Sequence, residues 1–556
     1  MSTSDYLPYP TVKRWQEAGA SLMSTLEHYK HLCLTLGPES LSEGARPDDL
    51  VAKLLSAFDL HATVSRQLVE CTSALQKVRN TLVSPFFRLP EEITLNIFMH
   101  FVYHPKNTEI HRLGSVEHDV HLEAHCSEWT KLWSVTPMIQ GPSNQQQTFQ
   151  LGLQRAGASD LHLVATNELS RLSGDFIDLL AKHHTRFHAI NLSAYDPEVI
   201  RDALGILTEA GKPESLTKLS IRVSNTYHTN SGFPQKLDYI IPHDHPRLDL
   251  FTNMLQGLTH FHTSGPLIRW DILAFSTRLV QLMINDVMLG YDEEIIPFIQ
   301  TLSSASELRD LKIISITTVK SSAFNSNAIK TSLQPTQFPK LQSLLIQNIY
   351  FNTLRVLLPN IAPGSHRLTL FLSPRCLRFK ILEDVDSDDD EAEDSANVAD
   401  LCKILEPIPV DTLMVTAFQP IMRVKPDIIY SILKAMPTLK TLKIDCWTFT
   451  QDSWAMLSRP PVTEDSSKKT PFPALENLHL TTASFRTRTG LREMLASHPL
   501  RRVVLGALVR TTIGSPISLE RCTTAMPWLE DIAQEVRIVH PDYRPIEFYE
   551  DVWRLW

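Results

Sequence analysis

The sequence predicts an α/β chain: an N-terminal helical module followed by an irregular strand–helix solenoid. Three observations carry this expectation. Apolar residues between Leu50 and Leu82 recur at steps of three and four, the spacing of one helix face. The stretch "FFRLPEEITLNIFMHFV" at Phe86–Val102 reads as another helix, apolar on two sides. From residue 216 onward a short pattern, Leu-x-x-Leu-x-Leu/Ile, keeps returning, with helical patterns between its copies.

A chain of 556 residues is too long for one core, so two or more domains are expected. A hydrophobic share of 43% and a charged share of 21% place it among ordinary globular proteins. Its 18 glycines are under half the usual share of about 7%. Neither GxGxxG nor GxxxxGK[ST] occurs, which argues against a glycine-rich phosphate loop and against a nucleotide cofactor.

The opening "MSTSDYLPYPTVKRW" lacks the apolar centre of a secretion signal. No run of about 18 uncharged apolar residues exists, so no membrane span is expected. Cys33, Cys71, Cys126, Cys376, Cys402, Cys446 and Cys522 are odd in number and never spaced as CxxC. They read as buried free thiols of a reducing compartment, cytoplasmic and/or nuclear. The net charge of −9 comes from one tract, "EDVDSDDDEAED" at Glu383–Asp394; the rest is formally neutral. That balance gives no overall electrostatic case for nucleic acid.

Residues 1–49 are mixed, with one helix expected around Arg14–Leu36. Residues 50–84 form one long amphipathic helix, its seam running through 54, 58, 61, 64, 68, 71, 75, 78 and 82. That seam is expected to pack on its own domain rather than to pair as a dimeric coiled coil.

Within 85–140, Pro90 suits a first helical turn, and Glu91 and Glu92 complement the positive end of the helix dipole. At 100° per residue Ile93, Ile97 and Phe101 make one stripe, and Leu95, Phe98, Met99 and Val102 a second. A helix with two stripes needs cover on two sides. A polar insert follows, holding His104, His111, His118, His121 and His125. In "CSEWTKLWSVTPM" Cys126 and Trp129 lie one helical turn apart, and Thr136-Pro137 ends the pattern. "QGPSNQQQTFQ" then suits a boundary near 141–150.

The region 150–545 repeats itself. "LTKLSI" (216), "LVQLMI" (279), "LRDLKI" (308), "LQSLLI" (341), "LKTLKI" (439) and "LENLHL" (475) share one form. "LTHFHT" (258) and "LRRVVL" (500) are looser copies, and "HRLTLFLS" (366) and "DTLMVTA" (411) fill the widest gap. "FNTLRVLLPNI", "DIIYSILKAM" and "LREMLASH" are the helices between. Proline in "FPKL", "MPTL" and "FPAL" stops a helix and turns the chain into a strand. Units of this kind stack because none has enough core to fold alone. The spacing fits an irregular leucine-rich-repeat solenoid, interrupted by a disordered acidic loop at 383–396.

"LPEEITLNIF" followed by "CSEW" and "TPM" resembles an F-box of the fungal type with a leucine-rich-repeat tail; the likeness covers roughly residues 85–140. The link Tyr103–Ala124 is longer and more polar than the family's usual one. The resemblance implies a non-catalytic substrate-recognition subunit of an SCF-type cullin-RING ubiquitin ligase. Its F-box would dock the Skp-type adaptor through Leu89, Pro90, Ile93, Ile97 and Phe98, and its repeats would hold an unidentified protein target. Leu95 and Phe101 are assigned to the core. The alternative is a repeat scaffold unconnected to ubiquitin, with the F-box-like segment as a structural cap.

Other chemistry is weak by comparison. His118, His121 and His125 share a helix face beside Cys126, a zinc-like set, but adjacent His125 and Cys126 point apart, so no metal is assigned. There is no GxSxG or HExxH, and no catalytic residue is assigned. Ser387, followed by "DDDE", has the context acid-directed kinases prefer, although the tract reads first as a solvated loop.

Overall fold

The computed structural model describes residues 9–44, 46–83, 135–139, 153–167 (except 155 and 158), 174–209, 215–224, 239–241, 245–320 (except 267), 338–381 (except 362, 363 and 365), 395–416, 426–460, 472–510, 516–520, 528–548 and 555. It divides into two compact units, Met1–Phe98 and Met99–Trp556.

In the first unit two helices follow one another, α1 (Pro10–Ser42) and α2 (Pro47–Val83). Pro10 opens α1, where its missing N–H costs nothing. The helices meet where the Tyr29 and His61 rings lie 5.5 Å apart. The seam of α2 is not packed on its own domain as its spacing suggested. Leu54, Phe58, Leu68, Leu75 and Val78 are exposed, and Val64 is only half-buried. Burying a stripe this long takes a second layer. No described helix is long and apolar enough to cross a membrane.

The second unit is built on one large sheet. Its strands in chain order are β1 (Val135–Ile139), β2 (Leu161–Asn167), β3 (Phe187–Ala194), β4 (Lys218–Val223), β5 (His260–Ser264), β6 (Gln281–Asn285), β7 (Met288–Tyr291), β8 (Asp310–Ile314) and β9 (Thr317–Val319). They continue as β10 (Ser343–Gln347), β11 (Arg367–Leu372), β12 (Thr412–Thr416), β13 (Thr441–Asp445), β14 (Thr448–Phe449), β15 (Asn477–Phe485), β16 (Arg502–Val509), β17 (Ile517–Ser518) and β18 (Glu535–Ile538). Sixteen strands form an open sheet in the order β1-β2-β3-β4-β5-β6-β8-β10-β11-β12-β13-β15-β16-β17, with β14 on β15 and β18 on β16. Every pairing in it is parallel except β17 on β16. β7 and β9 make a separate pair.

Each quoted repeat segment is a strand here, and strands successive in the repeat are neighbours in the sheet. Parallel neighbours need a crossover. Helices supply several, among them α3 (Gly174–His183), α4 (Pro197–Glu209), α5 (Leu248–Leu255), α6 (Ile295–Ser303), α7 (Phe351–Ile361), α8 (Val398–Leu405), α9 (Pro426–Ala435), α10 (Gln451–Leu457) and α11 (Arg488–Ala496). The leucines of the pattern stand in register: Leu219, Phe261, Leu282, Leu311, Leu344 and Leu368 form one buried row. Burying each stabilises the fold by about 1.5–3 kcal/mol.

One feature of the repeat is invisible in its leucines. The residue after five of the strands adopts a left-handed backbone: Gly265 (φ 84°), Asp286 (52°), Ser315 (50°), Asn348 (58°) and Cys446 (58°). Each of these N–H groups donates to the next strand of the sheet, for example Ser315 to the Gln347 carbonyl at 2.8 Å and Asn348 to that of Phe371 at 3.1 Å. The turn thus carries the ladder one residue past the strand while reversing the chain.

Thr136 and Pro137, read as the stop of a helical pattern, lie inside β1, which carries the sheet ahead of residue 150. β1 has one neighbour, and an edge is where a strand tolerates proline. Of the acidic loop, Glu383–Asp394 lies outside the described residues. Ser395 and Ala396 are ordered, bonded back to Arg378 and Leu377. The five described cysteines are free, but their burial is not uniform: Cys376 is buried, Cys402 and Cys446 are half-buried, and Cys33 and Cys71 are exposed.

Candidate interaction face

Side chains alternate between the faces of a strand. The leucine rows face the helices; the opposite face carries the polar positions between them. Register aligns Arg222, Ser264, Asn285, Ile314, Gln347, Phe371, Met414, Lys443, His479, Val504 and Arg537 in one row across the sheet. The row one step towards the strand starts includes Asn191, Ser220, His262, Met283 and Lys312. Together with Lys218, Arg367 and Arg502 the face is predominantly basic, with Asp310, Asp445 and Glu535 as acidic members.

A solvated face would leave these polar residues wet, yet Asn191, Ser220, Gln347, Phe371 and Met414 are nearly completely buried. Described residues of the C-terminal segment touch three of them: Phe548 lies on Phe371 and Met414, and Leu555 bonds to Asn191. Gly506 makes room at its root, since a Cβ there would come within 3.0 Å of the His540 carbonyl oxygen. Arg544 Nε donates to Asp445 Oδ2 at 2.9 Å, and Asp445 Oδ1 accepts from Thr481 and Thr482. Lys443 Nζ donates to Glu547 Oε1 at 2.8 Å. Phe548, 1% exposed, sets its ring against Phe371 at 5.3 Å and near a right angle, closing a small cluster with Met414. Further on, the Leu555 amide donates to Asn191 Oδ1 at 3.0 Å.

The electrostatics follow from these contacts. Burial alone would raise the Glu547 carboxyl, but hydrogen bonds from Lys443 and the backbone, with the Lys443 and His479 charges, hold it below the usual range. Burial pushes His479 down to about 4, with Lys443 and Arg502 adding to the effect and Glu547 opposing it. His162, at the other end of the face, is also pushed to about 4, by burial and by His188 and Lys218. Among the described residues, the buried Asn191 Nδ2 and Gln347 Nε2 have no hydrogen-bond partner.

Leu89, Pro90, Ile93, Ile97 and Phe98 lie outside the described residues, as do His118, His121, His125, Cys126 and Ser387. Among the described residues no group of three or more His, Cys, Asp or Glu is placed to hold a metal ion. Reading by repeats missed Arg544, Glu547 and Phe548. The signal was present in "EFYEDVWRLW" (547–556), where acidic and aromatic residues are interleaved. Comparison with family models and with curated proteins returns no match to the chain.

Proposed function

We propose that this chain is the substrate-recognition subunit of an SCF-type cullin-RING ubiquitin ligase. The F-box-like segment docks a Skp-type adaptor through Leu89, Pro90, Ile93, Ile97 and Phe98. The parallel sheet is an irregular leucine-rich-repeat solenoid that holds a protein target. The observation that carries this reading is the combination in one chain of the "LPEEITLNIF…CSEW…TPM" sequence with a strand unit that recurs, left-handed turn included, across the sheet. The chain contributes proximity, bringing the target to ubiquitin carried by other subunits, and no chemistry of its own.

Co-purification with the Skp adaptor tests the proposal. The wild-type chain retains the adaptor, and Ile93→Asp and Ile97→Asp each lose it while keeping the melting temperature. Leu95→Asp, assigned to the core, buries an unpaired charge and destabilises its segment. A wild-type chain that does not retain the adaptor leaves the scaffold reading in its place. Ile97→Asp unfolding as badly as Leu95→Asp removes that residue from the docking surface.

A further inference from the structure

We infer that the N-terminal pair of helices is half of a four-helix bundle, and that a second copy of this chain supplies the other half. The pairing goes beyond the ligase reading and does not depend on it.

Three observations point to it. The first is a repeat of seven on both helices. In α1, Trp15, Leu22, Tyr29 and Leu36 stand seven residues apart. In α2, Leu54, His61, Leu68 and Leu75 do the same, and Ala57, Val64, Cys71 and Val78 form the second file of the stripe. Such a repeat, sustained along a helix, marks a face that packs lengthwise on another helix. Tyr29 and His61, whose rings meet, both belong to these files, so the two stripes adjoin there.

The second is that the pair leaves its stripes open. No residue of α1 is buried, Trp15 keeps 56% of its surface exposed, and Phe58 on α2 keeps 65%. From Val12 in α1 to Val78 in α2, the exposed apolar side chains of the stripes offer on the order of 800 Å² per copy, the share a standard interface takes from each partner. A monomer rarely leaves a patch of that size bare. Two helices make one layer, and in a four-helix bundle a second pair supplies the other.

The third identifies the occupant, because the stripe of α2 is its own complement. Laid antiparallel on a second copy about position 66, Leu54 meets the partner's Val78 and Ala57 meets the partner's Leu75. In the same register His61 meets the partner's Cys71, and Val64 the partner's Leu68. Every layer sets a large side chain on a small one, which fills a core evenly. Parallel copies would set Ala57 on the partner's Ala57 and His61 on the partner's His61, a void beside a crowded polar layer. Charge has the same sense. By sequence, residues 47–65 hold three acids and one base, and residues 66–83 hold three bases and one acid. Antiparallel copies place opposite charges together, where parallel copies place like on like. A two-fold interface uses one patch on both subunits, as this one does.

The test is the association state of the full chain, read by sedimentation equilibrium. At micromolar concentration the wild-type chain is a dimer. Leu68→Glu and Leu75→Glu, at positions exposed in the single copy, give monomers with the wild-type circular dichroism spectrum. Thr63→Glu, on α2 outside the stripe, remains a dimer. Thiol pairing reads the register in a chain that carries Cys33→Ser. Oxidised glutathione links the His61→Cys chain into a covalent dimer through the partner's Cys71, and adding Cys71→Ser abolishes the link. Positions 61 and 71 of one helix are about 15 Å apart, too far for a disulfide within a copy. A wild-type chain that stays monomeric overturns the inference and leaves the stripes to a different protein. Leu68→Glu that remains a dimer also overturns it. A link that survives Cys71→Ser overturns the antiparallel pairing, on which the choice of a second copy rests. At nanomolar concentration the copies separate, and denaturation there reports the bare stripe. Adaptor retention is unchanged by Leu68→Glu, so this inference and the ligase proposal fail separately.

Discussion

Arg544 and Asp445 are 99 residues apart in sequence, and the guanidinium Nε lies 2.9 Å from the carboxylate. Asp445 is buried to 1% side-chain exposure, whereas Arg544 keeps 24%. A buried carboxylate that loses its cation costs about 3–5 kcal/mol when the site cannot relax. Arg544 is partly exposed, so removing its guanidinium opens a path for water to Asp445, which limits the loss. Arg544→Ala is expected to cost about 1–3 kcal/mol in urea unfolding, and the Arg544→Ala, Asp445→Asn double variant less than the sum of the two single changes. Strict additivity would show that the two residues do not interact.

The histidines set the pH dependence. His162 and His479 titrate near 4 in the folded chain against about 6.5 when unfolded. Depressed values mean that the unfolded chain binds protons more readily. Their stabilising contribution is therefore complete above about pH 6.5 and is lost progressively as pH falls towards 4. The loss per histidine is at most about 1.4 kcal/mol per pH unit, reduced by residual solvent exposure. Melting temperatures at pH 7.5, 6 and 5 should descend, and His162→Gln with His479→Gln should flatten the descent. A melting temperature constant from 7.5 to 5 excludes this account.

The seam of α2 and the leucine rows of the sheet look alike on paper and differ in burial. Leu442 in β13 has no exposed surface; Leu68 in α2 is 38% exposed. Leu442→Ala should cost about 2–5 kcal/mol, because a cavity adds to the lost transfer energy. Leu68→Ala should stay within about 0.5 kcal/mol. Chemical denaturation of the two variants decides it, and similar losses would mean that the seam is covered.

This contrast marks how far the sequence could be read. The repeat strands were legible because Leu219, Leu282, Leu344 and Leu442 sit on a fixed pattern whose spacing reports one buried face. β3 escaped because "FHAINLSA" is buried on both faces, with Asn191 bonded to the Leu555 amide and Ser193 to Ser224. Periodicity detects a face that differs from its opposite, and β3 has none. The α2 pattern identified a helix face but not its cover, since spacing describes one surface only. The covered polar face was illegible for a related reason: Arg544 and Glu547 reach it from 99 and 104 residues away in sequence.

The left-handed turns predict an asymmetric response to substitution. Cys446 holds φ 58° with a side chain that strains there, whereas Gly265 holds φ 84° without cost. Cys446→Gly relieves about 1 kcal/mol of backbone strain, partly offset by added freedom in the unfolded chain. It should leave stability unchanged or slightly raised. Cys446→Val places a β-branched residue in the same conformation and should cost more than 1 kcal/mol. Urea midpoints for the pair test this, and a Val variant as stable as the Gly variant would mean that the turn relaxes to another conformation.

The acidic tract is expected to be dispensable for folding, for a reason visible at its two ends. Arg378 and Ser395 pair across the loop entrance, and the Ala396 amide donates to the Leu377 carbonyl at 2.8 Å. The excursion thus leaves and rejoins the fold at one place. Closing such a loop costs little more when it is long than when it is short, about 0.6 kcal/mol per doubling of length. A tract of nine carboxylates and no base has almost no apolar surface to bury. Deleting Glu383–Asp394 leaves this pairing in place and should move the melting temperature by no more than about 2 °C. The same deletion brings the chain to formal neutrality, so solubility near pH 7 should fall although the fold is intact. A loss of ten degrees would show instead that the carboxylates are paired with a basic surface in the folded chain. Raising the salt would then lower the wild-type melting temperature towards that of the deletion.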